Sequence, residues 1–530
     1  MISLVALAMV AVFFAGCGGE AAEDGEGDIQ EGGTFHAGIV QDPKSLDPAF
    51  LQDSEAMQIS RQVFDGLLEH DPETMELVPA VAKSYEANED ATVFTFRLRD
   101  DVMFHNGLEC KAEDFVYSWN RVCDPDTNSP VSYHLEPVKG YGEVRSGRAE
   151  ELEGVNALDD HTLEVTLSYP NADFGYHAAH PVLSPVPREV VEEYGSDSFT
   201  EHLVGNGPFK FKEWEHEQQV VLDANVDYYD EDQPHLDQVV FKIYPDVGDA
   251  YLDFLDGALD DCRLPQTELD AAREQFGERV LEVPIMYDYL YGFKMNAEPY
   301  AASKELRRSF NYAIDREVLS EVDAEGTRRE ATGIVPPGTV GFQGDAGRFY
   351  YDPLEAGGLL AEAGYPEGGG LPTLVLSYNT GGGYDNMAQV VQGEVEDIGI
   401  DLLIEGYVWD TYVNLIRSED LTFFGWSFRA DYPIMDEFLK TFLSPSSGGA
   451  GNAFGYENPR VDELILAARR TPDEAERIEL YREAEAVILD EAPVIPLVDY
   501  TTVWVYSDKV GGYLRTPLEY TPYEMVYLRG

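Results

Sequence analysis

The feature that most constrains the fold of this 530-residue chain is the alternation, along its body, of short strand-like and helix-like stretches. Residues 92–98 (TVFTFRL), 161–167 (HTLEVTL) and 239–244 place apolar side chains at alternate positions, which is typical of half-buried strands. Residues 112–122 instead carry four apolar side chains on one helical face. Because no fixed period recurs, the pattern argues against a solenoid or propeller and predicts a mixed α/β fold.

A long helix is expected near the C-terminus. Thr471 is predicted as its N-cap, with Pro472 at the first helical position and Glu474 as the capping-box glutamate. A strand at about 497–505 follows the prolines that end this helix. The side chains expected to be buried on one face of the helix are Ala475, Ile478, Tyr481, Ala484 and Ile488.

The charge of the chain excludes one class of partner. Its 36 Lys and Arg residues against 100 Asp and Glu residues give a formal net charge of −64. Such a field repels phosphate backbones, so no nucleic acid is expected as a partner. Aromatic residues make up 12% of the chain, which argues against disorder for most of it.

The N-terminus predicts an exported, membrane-anchored protein. Residues 4–14 (LVALAMVAVFF) form an apolar run that is too short to span a bilayer. The run is followed directly by Ala-Gly-Cys17, and together they resemble a bacterial lipobox. We therefore expect a signal peptide over 1–16, lipidation of Cys17, and a flexible acidic linker over 17–33. The expected location is extracytoplasmic, lipid-anchored to the cell membrane. No Lys or Arg precedes the apolar run, so the true start codon stays open.

Three further cysteines leave at most one disulfide. Cys110 and Cys123 flank the predicted helix over 112–122, which would hold them roughly 18 Å apart, beyond the ~7 Å reach of a disulfide. Any bridge would therefore join one of them to Cys262. The cysteine spacing contains no C-x-x-C and indicates no zinc site.

The motifs of common enzymes are missing from the sequence. There is no G-x-x-x-x-G-K-[ST] phosphate loop, no H-E-x-x-H zinc helix and no G-x-S-x-G elbow. These absences favour a binding protein without catalytic residues, metal or cofactor over an enzyme. A secreted hydrolase that uses two of the 100 acidic residues stays open as the alternative.

A series of short motifs, in a fixed order, carries a family resemblance. These motifs are 45–48 (SLDP), 79–85 (PAVAKSY), 95–99 (TFRLR), 104–107 (FHNG), 114–119 (DFVYSW), 205–209 (GNGPF), 306–310 (LRRSF), 313–316 (AIDR), 359–365 (LLAEAGY), 430–433 (ADYP) and 456–459 (YENP). With them the chain resembles the solute-binding proteins of ABC transporters, in the peptide-binding group (family 5) that includes bacterial oligopeptide- and dipeptide-binding lipoproteins.

The resemblance implies a two-lobed periplasmic-binding-protein-like fold of the class II type, with an extra domain inserted in the first lobe. The first lobe would comprise residues 34–70, 204–284 and 496–530. The inserted domain would cover 71–203 and the second lobe 285–495. Two crossings between the lobes, near residues 284 and 495, would form the hinge.

The resemblance also implies a peptide site. In oligopeptide-binding relatives an aspartate of a Trp-x-Ala-Asp motif binds the α-ammonium of the peptide, and Asp431 aligns with it. Phe428 stands where the tryptophan is expected, with Trp426 two residues earlier. Residues 427–429, including Ser427 and Arg429, would pair with the peptide backbone. Arg429 replaces a cysteine of the relatives, so their disulfide is not carried over.

Weaker candidates complete the predicted site. Trp409 and Tyr384 align with lining positions of relatives, Tyr500 lies on the returning strand, and the first lobe would contribute residues near Asp42. The position of a carboxylate-binding arginine in some relatives is Gly425 here, which leaves the preferred peptide length open.

The expected function is capture of oligopeptides outside the membrane, followed by delivery to the permease and ATPase subunits of an importer by a monomeric binding protein. Within the same fold, relatives also bind dipeptides, nickel chelates and oligosaccharides. These solutes stay open as alternatives, although an aspartate at the key position favours a ligand with a cationic group.

Overall fold

The computed structural model describes residues 29–322, 327–346, 349–418, 420–448 and 451–530. The predicted signal peptide and Cys17 lie outside these residues. No helix of the described part is long and apolar enough to cross a membrane.

The strands of the described residues are β1 (Ile29–Gln30), β2 (Thr34–Ile39), β3 (Leu68–His70), β4 (Leu77–Pro79), β5 (Ala82–Ala87), β6 (Val93–Leu98), β7 (Val155–Asp159), β8 (Thr162–Thr166), β9 (Phe209–Glu215), β10 (Gln219–Ala224), β11 (Gln238–Ile243), β12 (Asp261–Arg263), β13 (Val280–Phe293), β14 (Arg328–Glu330), β15 (Leu374–Asn379), β16 (Leu402–Tyr407), β17 (Phe423–Trp426), β18 (Val494–Tyr506), β19 (Val510–Gly511) and β20 (Tyr527–Arg529).

The α-helices of the same residues are α1 (Ser54–Val63), α2 (Ala112–Cys123), α3 (Tyr141–Arg145), α4 (Phe174–Ala178), α5 (Arg188–Tyr194), α6 (Ser196–Phe199), α7 (Val247–Leu255), α8 (Leu269–Phe276), α9 (Lys304–Ala313), α10 (Arg316–Glu321), α11 (Pro353–Glu362), α12 (Tyr384–Asp397), α13 (Trp409–Arg417), α14 (Asp436–Leu439), α15 (Pro459–Ala468) and α16 (Glu474–Glu491).

Two long antiparallel strands run through the centre of the main sheet. Its strand order is β16-β15-β17-β13-β18-β12-β2-β11-β10-β9, with β14 added on β18. The register between β13 and β18 is interrupted between Pro284 and Asp288. On one side of the pair lie β17, β15 and β16, and on the other β12 and β2. A separate four-stranded sheet, β5-β6-β8-β7, is built within residues 82–166.

Separate hydrophobic cores lie on the two sides of the long strand pair. One core is built from residues between 35 and 241 together with three residues between 510 and 526. Two others are built from residues between 286 and 498. The predicted face of α2 is confirmed, since Phe115, Trp119 and Val122 belong to the first core. The predicted mixed α/β class is likewise confirmed.

The structure corrects three local predictions. Helix α16 begins two residues later than expected, because the carboxylate of Asp473, rather than Thr471, accepts the N-cap hydrogen bond from Glu476 N. Ala475 is exposed rather than buried, because the buried face of the helix begins only at Arg477. The predicted linker ends before Gly33, because Ile29–Gln30 pairs with β20.

All three cysteines of the described part are buried and free. The prediction that Cys110 and Cys123 are not bonded to each other is confirmed, and the helix between them is α2. The conditional bridge to Cys262 does not form.

Candidate ligand-binding site

An extended segment with one open edge continues β17 beyond Trp426. The main chain of Phe428 pairs with Asp288, whose N–H donates to Phe428 O at 3.0 Å and whose Oδ1 accepts from Phe428 N at 2.7 Å. Ala430 N donates to Met286 O at 3.0 Å. The main-chain groups of Phe428 and Ala430 thus point toward β13. In an extended strand, the main-chain groups of the residues between them point the opposite way.

The opposite edge of this segment is unpaired. Strand β15 contacts β17 in register only at Phe424, which lies before the segment. The main-chain groups of Ser427 and Arg429 make no hydrogen bond to any described residue. Such an edge can accept a further extended chain through main-chain hydrogen bonds, without regard to the side chains of that chain.

Asp431 lies at the end of this open edge. Its Oδ2 accepts a hydrogen bond of 3.2 Å from the hydroxyl of Tyr133, and no cation of the described residues lies within ion-pair distance. Burial raises the pKa of the Asp431 carboxyl, while the Tyr133 bond and the charges of Lys440 and Arg429 oppose that rise. A partly buried carboxylate without a cation is suited to a ligand that brings one.

Other carboxylates around Asp431 already have partners. Asp431 lines a cavity of about 620 Å³ between the 133–177 region and the 431–470 region. In its wall, Asp436 forms a bidentate pair with Arg469 at 3.0 and 2.8 Å, and Glu437 pairs with Lys440 at 2.5 Å. Glu136 accepts a hydrogen bond from the hydroxyl of Tyr169. Asp431 is therefore the half-buried carboxylate of this wall that retains capacity for a cation.

A cluster of histidines surrounds Tyr432, the next residue after Asp431. The Tyr432 hydroxyl lies 2.5 Å from Nδ1 of His134, and the ring centroids of His177 and Tyr432 are 4.0 Å apart. His180 stacks on His134 at 4.1 Å. Burial lowers the pKa values of His134 and His177 to about 3, so these rings are neutral near pH 7. Uncharged packing here fixes the backbone that carries Asp431.

A buried ion pair strengthens the same contact between distant parts of the chain. Asp173 Oδ1 lies 2.7 Å from Nε of Arg477 on α16, and the Tyr481 hydroxyl donates to Asp173 Oδ2 at 2.8 Å. The hydroxyl of Tyr176 donates to Glu474 at 2.7 Å. Asp173 and Arg477 are both buried.

Two predicted lining residues meet in a separate aromatic cluster. The hydroxyls of Tyr384 and Tyr500 lie 3.3 Å apart, and Tyr384 stacks on Tyr289 at 4.1 Å between ring centroids. The guanidinium carbon of Arg328 is 5.6 Å from the ring centroids of both Tyr384 and Tyr500. Tyr384 is buried, so it packs within the core of its own half in this conformation.

The remaining predicted residues lie in different surroundings. Trp426 and Phe428 contact each other with ring centroids 6.1 Å apart, close to Asp431 in the chain. Trp409 is 59% exposed at the start of α13. Asp42 accepts hydrogen bonds from Trp214 Nε1 at 2.9 Å and from Glu217 N at 3.1 Å within its own half. No described contact joins Trp409 or Asp42 to Asp431.

Sequence reasoning missed two residues that shape the site. Tyr133 lies 298 positions before Asp431, and no local pattern marks it as its partner. Asp288 holds the main chain of Phe428 through its carboxylate, which a strand pattern alone does not reveal. No group of three or more His, Cys, Asp or Glu side chains in the described part is arranged to hold a metal ion.

Comparison with known proteins decides the family. The family model described as "Bacterial extracellular solute-binding proteins, family 5 Middle" matches residues 76–450, which is more than half of the chain. The chain belongs to this family. The predicted resemblance is thereby confirmed, and the members of this family are solute-binding proteins.

Full-length relatives support the same assignment. This family-5 protein is 31% identical to the periplasmic oligopeptide-binding protein OppA of Escherichia coli, over 99% of this chain and 98% of the relative. A structure of the periplasmic murein tripeptide-binding protein MppA, in its unliganded open form, matches with a TM-score of 0.85 and 27% identity, covering 95% of this chain and 99% of that chain. The predicted two-lobed periplasmic-binding-protein-like fold is confirmed.

A second structure of MppA, from E. coli, bears on the conformation of this family-5 protein. It also has 27% identity and covers 95% of this chain and 99% of that chain, but its TM-score is 0.68. The described conformation is thus more similar to the unliganded open form of MppA than to this second structure.

Proposed function

We propose that this protein is the extracytoplasmic binding component of an ABC importer that captures peptides with a free α-ammonium group. One observation carries this proposal: the open main-chain edge at 427–429 leads directly to Asp431, a half-buried carboxylate without a cation. The names of relatives, which include oligopeptide- and dipeptide-binding proteins, support the same solute class.

The two features act on different parts of a peptide. The open edge would hydrogen-bond the peptide main chain, which is the same for every sequence. Asp431 would bind the ammonium, whose transfer from water into a cleft is costly without a charged partner. Side-chain selectivity is thus left to surrounding residues, for which Trp409, Tyr384, Tyr500 and Asp42 stay candidates.

We infer that ligand closes the two lobes about β13 and β18. The predicted boundaries stay a proposal: 34–70, 204–284 and 496–530 for the first lobe, 71–203 for the inserted domain, and 285–495 for the second lobe. The register interruption between Pro284 and Asp288 supports a hinge near residue 284. Closure would bring the first lobe, including the region of Asp42, toward the open edge.

The proposed activity is binding and delivery, not catalysis. The protein would act as a monomer, without a cofactor, and pass its peptide to the permease and ATPase subunits of the importer. Several relatives, among them OppA of Escherichia coli, are named as periplasmic proteins, which supports an extracytoplasmic location.

The ligand carried by the purified protein tests this function. The protein is denatured as purified, and the released small molecules are analysed by mass spectrometry. We expect short peptides with free N-termini, at no more than one molecule per protein molecule. Release of a chelate, a bile acid or an oligosaccharide instead would keep the fold and reject the solute class. Turnover of a peptide or glycan panel by the purified protein would reject a pure binding role.

Lipid anchoring through Cys17 is a separate prediction. The apolar run before Ala-Gly-Cys17 predicts cleavage and acylation at this cysteine. In cells, Cys17→Ser should move most of the protein from the membrane fraction to the soluble extracytoplasmic fraction, as measured by fractionation and immunoblotting. Cys110→Ser is the matched control and should stay membrane-bound. A Cys17→Ser protein that remains in the membrane fraction would point to another anchor.

A further inference from the structure

A second cavity, whose lining does not include Asp431, lies between α1, β3 and the C-terminal segment. It has a volume of about 230 Å³ and is lined by charged side chains from distant parts of the chain, including Arg61, Asp65, Glu69 and Glu524. At ~30 Å³ for each water molecule in the liquid, this is room for about seven waters or one small organic molecule. None of residues 426–431 lines this cavity.

The cation of this cavity has no ion-pair partner. The guanidinium carbon of Arg61 lies 4.6 Å from the centroid of the Tyr520 ring. Among the described residues, no carboxylate forms an ion pair with Arg61, although Glu69 and Glu524 are close enough to influence its charge. Burial lowers the pKa of Arg61, and Tyr520, Glu69 and Glu524 only partly oppose this fall, so a bound anion would further stabilise the charged guanidinium.

Among the described residues, no cation lies within ion-pair distance of the carboxyl groups of the cavity, although the charge of Arg61 lowers the pKa values of Glu69 and Glu524. Asp65 Oδ2 accepts a hydrogen bond of 2.9 Å from the Tyr228 hydroxyl, and the carboxyl of Glu69 lies against Asp65. Burial raises the pKa of Glu524 to about 8 and also raises those of Asp65 and Glu69. No ion pair thus joins the Arg61 guanidinium to these carboxyl groups among the described residues, and burial disfavours the charged form of each of them when no ligand is bound.

A buried histidine supplies an independent sign of a missing partner. His70, at the end of β3, is only 5% exposed and lines the cavity. Neither of its ring nitrogens has a hydrogen-bond partner among the described residues. Burial keeps its pKa well below the usual value, so the neutral ring has one donor and one acceptor to offer. Leaving both unused in a buried site is unfavourable.

We propose that this cavity binds a small zwitterion, such as a free amino acid, with its carboxylate on Arg61 and its ammonium on Glu69 and Glu524. A zwitterion supplies both of the charges that the cavity lacks, whereas a simple amine or a simple carboxylate supplies only one. His70 would hydrogen-bond the carboxylate or the ammonium. The site is separate from the peptide cleft, so the inference goes beyond the proposed function.

Calorimetric titration with L-lysine and glycine, on the full dialysed protein, tests the site. We expect saturable one-to-one binding that is the same in wild type and in Asp431→Asn. Arg61→Gln and Glu524→Gln should each weaken it by roughly 10- to 100-fold, as expected for loss of one charged hydrogen bond. n-Butylamine, which lacks the carboxylate, should bind more weakly and be insensitive to Arg61→Gln.

Two results would overturn the proposal. If neither amino acid shows saturable binding at tens of millimolar, the cavity holds only water. If binding is lost in Asp431→Asn but kept in Arg61→Gln and Glu524→Gln, the amino acids occupy the peptide cleft. Circular dichroism establishes that each variant is folded. If only one of Arg61→Gln and Glu524→Gln folds, its amino-acid affinity is compared with that of wild type and of Asp431→Asn. If Asp431 does not bind peptides, the expected binding of amino acids in the second cavity is unchanged, so the two proposals can fail separately.

Discussion

Asp431→Asn is expected to weaken the binding of peptides with a free N-terminus by roughly 30-fold to several thousand-fold. Removing one partner of a desolvated, hydrogen-bonded charge pair costs about 2–5 kcal/mol, because the other charge is left without compensation. At about 1.4 kcal/mol per tenfold change, that cost gives the stated range. Asn keeps the shape of the side chain and can still accept from Tyr133, so the substitution removes mainly the charge.

N-acetylated peptides and a matched variant isolate this effect. Acetylated peptides lack the ammonium, so wild type should bind them weakly and Asp431→Asn should lose little more. Calorimetry of both peptide types on both proteins forms a double-mutant cycle whose coupling energy reports the pair itself. Glu136→Gln changes another carboxylate of the same cavity, bonded to Tyr169, and should have a small effect. A coupling energy near zero would mean that Asp431 does not contact the ammonium.

Local periodicity was sufficient to predict much of the secondary structure. The runs at 92–98 and 161–167 form the paired strands β6 and β8, because alternation reflects one buried face. The predicted start of α16 is two residues too early because Thr471 and Asp473 both fit an N-cap pattern. Only the contacts of the folded helix decide between two such candidates.

The candidate site could be predicted where it is continuous in sequence. The motif at 430–433 marks Asp431, and the family resemblance extends the prediction to residues 427–429; in the structure the open edge of 427–429 lies next to Asp431. The contacts from Tyr133 and Asp288 depend on strand order and on packing between distant residues, which periodicity does not encode. The sequence marks Tyr384 and Tyr500 as separate candidates, and only the fold shows that their hydroxyls lie 3.3 Å apart.

Asp173→Ala is expected to lower the free energy of unfolding by about 3–5 kcal/mol, the usual cost of removing one partner of a buried ion pair. The substitution leaves Arg477, which is only 5% exposed, without the carboxylate 2.7 Å away, and removes the acceptor of the Tyr481 hydroxyl. Because these residues join α16 to the segment before α4, the loss should also loosen the contact that supports Asp431. Urea unfolding followed by tryptophan fluorescence measures the change.

The cost arises because a buried charge keeps only its longer pair, to Glu474 at 3.2 Å, and not because the pair with Asp173 is strongly favourable. Burial raises the pKa of Asp173 even though Arg477 opposes the rise, so the pair does not fully offset desolvation. The double variant Asp173→Ala, Arg477→Met should therefore regain much of the lost stability. Glu463→Ala, which breaks an exposed 2.8 Å pair with Arg460, is the control and should cost less than about 1 kcal/mol. If Asp173→Ala costs no more than this control, water already reaches the pair, and the contact beside Asp431 is held by the uncharged packing of Tyr432 and its histidines.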